Sequence, residues 1–141
     1  MKKIILALFV SVLSIGGFAQ FTRVHVILSG NCMSSNSSSR YVIKVEIVNI
    51  SVNPPVAVIT PVIKTYATEG FPANGVMIDI DETACTPDGN NNIYKVFVSA
   101  AKVWWPNGPI ICEGKDQVQP EYTCWGLINT LPYYPIYVNL D

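Results

Sequence analysis

The sequence predicts an all-β chain, and three observations carry that reading. The clearest is Arg40–Ile50, RYVIKVEIVNI, where Tyr41, Ile43, Val45 and Ile47 fall on alternate positions. Successive side chains of a strand point to opposite faces, so this pattern sends one apolar row inward and the row of Val42, Lys44, Glu46 and Val48 outward. Next, turn-forming clusters of Gly, Pro, Asn, Asp and Ser recur roughly every ten residues between short apolar runs, the spacing of an all-β domain. Finally, no window shows helical periodicity. The nearest candidate, Ser99–Trp105, runs straight into Pro106.

In chain order, Phe21–Ser29 reads as a strand with Val24, Val26 and Leu28 on one face. Gly30–Ser39 is rich in Ser and Asn, which favour local side-chain bonds and turns, so it reads as an exposed loop before the Arg40–Ile50 strand. Asn53-Pro54-Pro55 then ends the pairing, because proline removes a donor and fixes φ. Val56–Thr60 and Val62–Thr68, divided by Pro61, are one bent edge strand or two strands. A turn over Glu69–Gly75 carries Phe71, placed to plug one end of the core. Val76–Glu82 alternates Val76, Ile78 and Ile80 against Met77, Asp79 and Asp81. Beyond a polar loop, Ile93–Val103 places Tyr94, Val96, Val98 and Ala100 inward. Ile110–Glu113 and Tyr122–Ile128 read as a hairpin around Gly114–Glu121, and Pro132–Leu140 as a closing edge strand.

The first 19 residues read as a secretory signal peptide, leaving 20–141 as one domain. Lys2 and Lys3 precede an apolar run over Ile4–Ile15, and Gly17 and Ala19 supply the small residues of a cleavage site. The run is shorter than the roughly 20 apolar residues of a membrane span. The Phe18-Ala19-Gln20 ending resembles signal peptides of Bacteroidetes, which implies a Gram-negative bacterial source and a periplasmic or extracellular destination. Cleavage removes two of nine basic residues and leaves seven against ten acidic ones, a net charge of about −3. A mildly acidic surface argues against nucleic acid as a partner, and no membrane span is expected in the mature chain. With 13% charged residues and a mean hydropathy of +0.32, the chain is apolar enough to bury a core.

Four cysteines remain: Cys32, Cys85, Cys112 and Cys124. In an exported chain an even number suggests disulfides, with three possible pairings. The favoured pairing is Cys112 with Cys124, across the expected hairpin, and Cys32 with Cys85. The rival zinc reading lacks any C-x-x-C, and His25 is the chain's lone histidine.

About seven or eight strands suit one two-sheet sandwich, similar in architecture to immunoglobulin-like or transthyretin-like domains. The cysteine spacing does not follow that of an antibody domain, so the likeness stops at architecture.

Two groups of residues have the chemistry of a site. Trp104, Trp105, Trp125, Tyr133 and Tyr134, with Tyr137 nearby, form the candidate ligand-binding set, because sugar C–H faces stack on aromatic rings. The competing reading is core and rim packing, and adjacent Trp104 and Trp105 are expected to divide between core and surface. Asp79, Asp81, Glu82, Asp88 and Asn90 form a weak calcium candidate, since calcium takes several oxygen ligands. Asp88–Asn92 has the D-x-N-x-N spacing of an EF-hand loop, but Ile93 stands where its glycine belongs and no glutamate closes it. The alternative is a solvated strand face followed by a turn, with no metal. No cofactor motif, phosphate loop or nucleophile elbow is present, and His25 has no adjacent nucleophile, so catalysis is not expected. The expectation is a non-catalytic binding or structural protein with a protein partner, adhesin-like or a subunit of an assembly. The alternatives are a carbohydrate-binding module and a secreted enzyme inhibitor.

Overall fold

The computed structural model describes residues 22–80, 85, 91–116 and 120–141. Among the described residues nine strands form two sheets: β1 (Thr22–Ser29), β2 (Ser39–Asn49), β3 (Val56–Ala57), β4 (Val62–Ala67), β5 (Val76–Ile80), β6 (Tyr94–Trp104), β7 (Ile110–Lys115), β8 (Glu121–Tyr122) and β9 (Ile136–Asn139). The small sheet has the order β5-β1-β9, with β9 parallel to β1. The large sheet has the order β3-β2-β6-β7, with β4 also on β2 and β8 also on β6. The all-β expectation holds. The strand number exceeds the expected seven or eight because β3 and β8, two residues each, are too short to show as alternation.

The β2–β6 pair is the spine. Its antiparallel register runs unbroken from Ser39 opposite Trp104 to Asn49 opposite Tyr94. Both strands alternate buried and half-buried residues along their length. Tyr41, Ile43, Val45 and Ile47 face inward with Tyr94, Val96, Val98 and Ala100, and Val24, Val26, Ile78, Ile80 and Val138 of the small sheet join them in one cluster. Phe71 packs edge-on against Tyr41 and Tyr66, at 5.1 and 5.8 Å between ring centres, and so stops one end of the core as expected.

The buried part of the inner row of β6 ends in Lys102, a buried cation. Its Nζ donates to the Ser34 carbonyl at 2.7 Å, the Ser34 hydroxyl at 2.8 Å and the Cys32 carbonyl at 3.4 Å. The ammonium thereby stays hydrogen-bonded inside the protein while it holds the 30–36 loop over the core.

Two expectations fail in the second half of the chain. Tyr122–Ile128 is not a strand: after β8 it turns into helix α1 (Cys124–Asn129). Thr123 caps that helix by accepting from the Gly126 N–H, and Cys124 and Leu127, three apart, share its buried side. Nor do the flanking segments form a hairpin. β7 and β8 both pair with β6, Lys102 opposite Cys112 and Tyr94 opposite Tyr122, so they follow one another along the same edge.

That geometry rules out the expected cysteine pairing. The eight residue steps along β6 from Tyr94 to Lys102 span roughly 26 Å at strand rise, whereas a disulfide bridges Cα atoms less than about 7 Å apart. The bonds formed are Cys32–Cys112, with Cα atoms 6.6 Å apart, and Cys85–Cys124, at 5.7 Å. The first ties the 30–36 loop to β7 beside Lys102, and the second anchors α1. Two disulfides suit an oxidising compartment. Among the described residues, no helix is long and apolar enough to cross a membrane.

Candidate functional site: a tyrosine-walled cleft where the sheets part

The two sheets meet along one seam. Asp116, just past β7, pairs antiparallel with Val138 of β9. Its N–H donates to the Val98 carbonyl at 3.0 Å, and its Oδ1 accepts from the Val98 N–H at 3.2 Å. At the same seam Gly114 lies so close to the Asn139 carbonyl that a Cβ there would collide with it, so only glycine fits.

A cleft of about 480 Å³ opens between β9 on one side and Pro120 and Tyr122 on the other. Tyr122, Tyr134 and Tyr137 supply ring surface, Ser29, Asp116 and Asn139 supply polar groups, and Pro135 and Ile136 complete the lining. Each wall carries a proline, Pro120 on one and Pro135 on the other. Proline has no N–H to donate, so these walls are poor templates for an added strand. A ligand would instead be held through side-chain faces.

The tyrosines are positioned differently. Tyr122 packs partly against the core, and burial raises its hydroxyl pKa. Tyr134 and Tyr137 stand 63% and 60% exposed. Asp116 is buried, and only one of its carboxyl oxygens is hydrogen-bonded. Burial pushes its pKa up, while the Val98 N–H partly offsets this by favouring the charged form.

The candidate ligand-binding residues do not share one surface. Tyr134 lines the cleft. Trp125 on α1 and Tyr133 at the end of the 3-10 turn Leu131–Tyr133 are 66% and 80% exposed, outside the cleft lining. Trp104 and Trp105 lie at the far end of β6, about ten residues or ~33 Å of strand from the residue that pairs with Tyr122. The expectation that one of this pair joins the core fails, since neither belongs to it. Trp104 continues the inner row but stands beyond the covered surface. Trp105 is beneath the Arg40 guanidinium, 5.7 Å from its ring centre. With exposed Ile110 and Ile111 these rings make the β6–β7 tip apolar.

Sequence reasoning passed over Ser29, Asp116, Pro120, Tyr122 and Asn139 as site residues. The prolines at 120 and 135 were the available signal, because each removes a backbone N–H that a neighbouring strand would use. Nothing local marks Asp116.

Of the calcium candidates, Asp79 is ion-paired with Arg23 at 2.7 Å. Asp81, Glu82, Asp88 and Asn90 lie outside the described residues. Among the described residues no group of three or more His, Cys, Asp or Glu side chains is arranged to hold a metal ion. His25 is engaged by the Asn74 carbonyl at 2.7 Å from Nε2. No protein-family model, curated protein or solved structure matches this chain.

Proposed function

We propose that this is an exported, non-catalytic binding domain of immunoglobulin-like or transthyretin-like architecture, and that its ligand is a glycan held in the cleft between β9 and β8. The observation that carries the reading is the cleft wall: Tyr122, Tyr134 and Tyr137 with Ser29 and Asn139 beside them. Ring faces with polar groups at their margins suit a sugar, which has apolar C–H faces and a hydroxyl rim. Tyrosine supplies such faces while its hydroxyl stays in water. The signal-like N-terminus and the two disulfides support export to the periplasm or beyond.

The apolar β6–β7 tip favours a second reading, adhesion to a protein partner. Trp104, Trp105, Ile110 and Ile111 are all exposed there, and tryptophan is enriched where interfaces concentrate their binding energy. The two surfaces sit at opposite ends of β6 and can be disabled separately. Electrophoresis of the exported chain through gels containing polysaccharides tests the glycan reading. Retardation that is abolished by Tyr134→Ala/Tyr137→Ala and kept in Trp104→Ala/Trp105→Ala supports the cleft. Retardation abolished only by the tryptophan pair moves the site to the tip.

A further inference from the structure

The cleft contains a carboxyl group whose hydrogen bonding is half complete. Asp116 is 9% exposed, and its Oδ1 accepts from the Val98 N–H at 3.2 Å. Its Oδ2 has no hydrogen-bond partner among the described residues. Buried polar groups are nearly always paired, so an orphaned carboxyl oxygen at a cleft wall asks for a donor. The charges around it narrow the choice of donor. Among the described residues, no Lys, Arg or His lines the cleft. A further carboxylate, that of Asp141, accepts from Nδ2 of Asn139, itself a lining residue. The polar part of the described lining thus offers a carboxyl, an amide and hydroxyls, and no cation.

We infer that the cleft selects a neutral glycan, one of whose hydroxyls donates to Asp116 Oδ2, and rejects glycans bearing carboxylate or sulfate groups. This rests on the glycan reading above and adds the substrate class. A sugar hydroxyl supplies the missing donor. A uronic acid brings a carboxylate beside the Asp116 carboxyl, where the described lining holds no cation to offset it. Oδ2 is covered as the chain stands, so the contact requires the Asp116 carboxyl to turn about its terminal torsion, which is broad for this residue, and to re-form its bond to the Val98 N–H.

Asp116→Asn is the sharpest probe. It preserves volume, keeps an acceptor for the Val98 N–H, and replaces Oδ2 with an amide donor that opposes the ligand's hydroxyl. The full-length exported protein is run through gels containing neutral polysaccharides (β-glucan, mannan, xylan) or acidic ones (alginate, polygalacturonate). The wild type is expected to be retarded by at least one neutral polymer and by neither acidic one. Asp116→Asn, with an unchanged far-UV spectrum, is expected to bind that polymer about tenfold more weakly or worse. Undiminished binding by Asp116→Asn overturns the inference and leaves the glycan reading intact, as does a wild type that prefers the acidic polymers. Free passage through every gel overturns both. The neutral-against-acidic comparison uses the wild type alone, so it decides the matter even where the variant does not fold.

Discussion

The β2–β6 ladder and the β9–Asp116 seam are both places where two strands run side by side, and they differ in almost every other respect. The ladder pairs eleven residues on each strand without interruption, from Ser39 to Asn49. Its inner row is buried, and its sequence alternates accordingly. The seam pairs Asp116 with Val138 as an isolated bridge among the described residues, and a proline stands on each wall of the cleft beside it. Continuous pairing covers apolar side chains and leaves little for a ligand to hold. Interrupted pairing leaves rings, an orphaned carboxyl oxygen and a hollow. The ladder accounts for stability, and the seam is the place to look for function.

Perturbations should therefore divide by region. The largest effect is expected at the covalent tie between β7, which pairs with the ladder strand β6, and the 30–36 loop. Cys32–Cys112 closes a separation of 80 residues. Replacing both cysteines by serine should cost about 4.5 kcal/mol in the chain-entropy model, read as a fall in the urea midpoint. Peptide mapping of the unreduced protein should recover the 32–112 and 85–124 links, whereas a 112–124 link would contradict the end-to-end order of β7 and β8 along β6. Next in size is Ile43→Ala in the fully buried ladder row, expected to lose about 2–5 kcal/mol. Tyr137→Ala, on the exposed side of β9, should change stability by less than about 0.5 kcal/mol in the same titration. Similar losses at both positions would erase the distinction between the regions.

The smallest effect is electrostatic and belongs to the seam. Burial holds the Asp116 carboxyl above its ordinary value of 3.8, so the native state keeps that proton to higher pH than the unfolded chain does. The associated stability is fully present below the ordinary carboxylate value and is lost as pH rises through the native one. Asp116→Asn removes this dependence. The wild type should gain on the variant as pH falls into the acid range, and a stability difference that does not vary with pH would show that Asp116 is no more desolvated in the folded protein than in the unfolded one.

The same contrast explains what was legible in the sequence. Val24, Val26, Tyr41, Ile43, Ile78, Val96 and Val98 were readable as core because each lies on an alternating run with a partner strand along its length. Tyr122–Ile128 misled because its β-formers sit in a stretch too short for alternation to distinguish from a capped helical turn. Thr123 and Gly126, which form the cap, were the overlooked sign. The disulfide pairing was unreadable because it depends on β7 and β8 lying end to end along β6, a property of tertiary order and not of spacing. The cleft was half visible. Its tyrosines stood out by type, but Ser29, Asp116 and Asn139 are distant in sequence and meet only where the sheets close.

The most direct test of the central claim, that the gap between the sheet edges is a binding site walled by tyrosine, is affinity electrophoresis of the exported protein beside Tyr134→Ala/Tyr137→Ala in neutral-polysaccharide gels. Retardation of the wild type, lost in the double variant at an unchanged melting temperature, is the predicted result. Equal retardation of the two proteins, or none of the wild type, would contradict it.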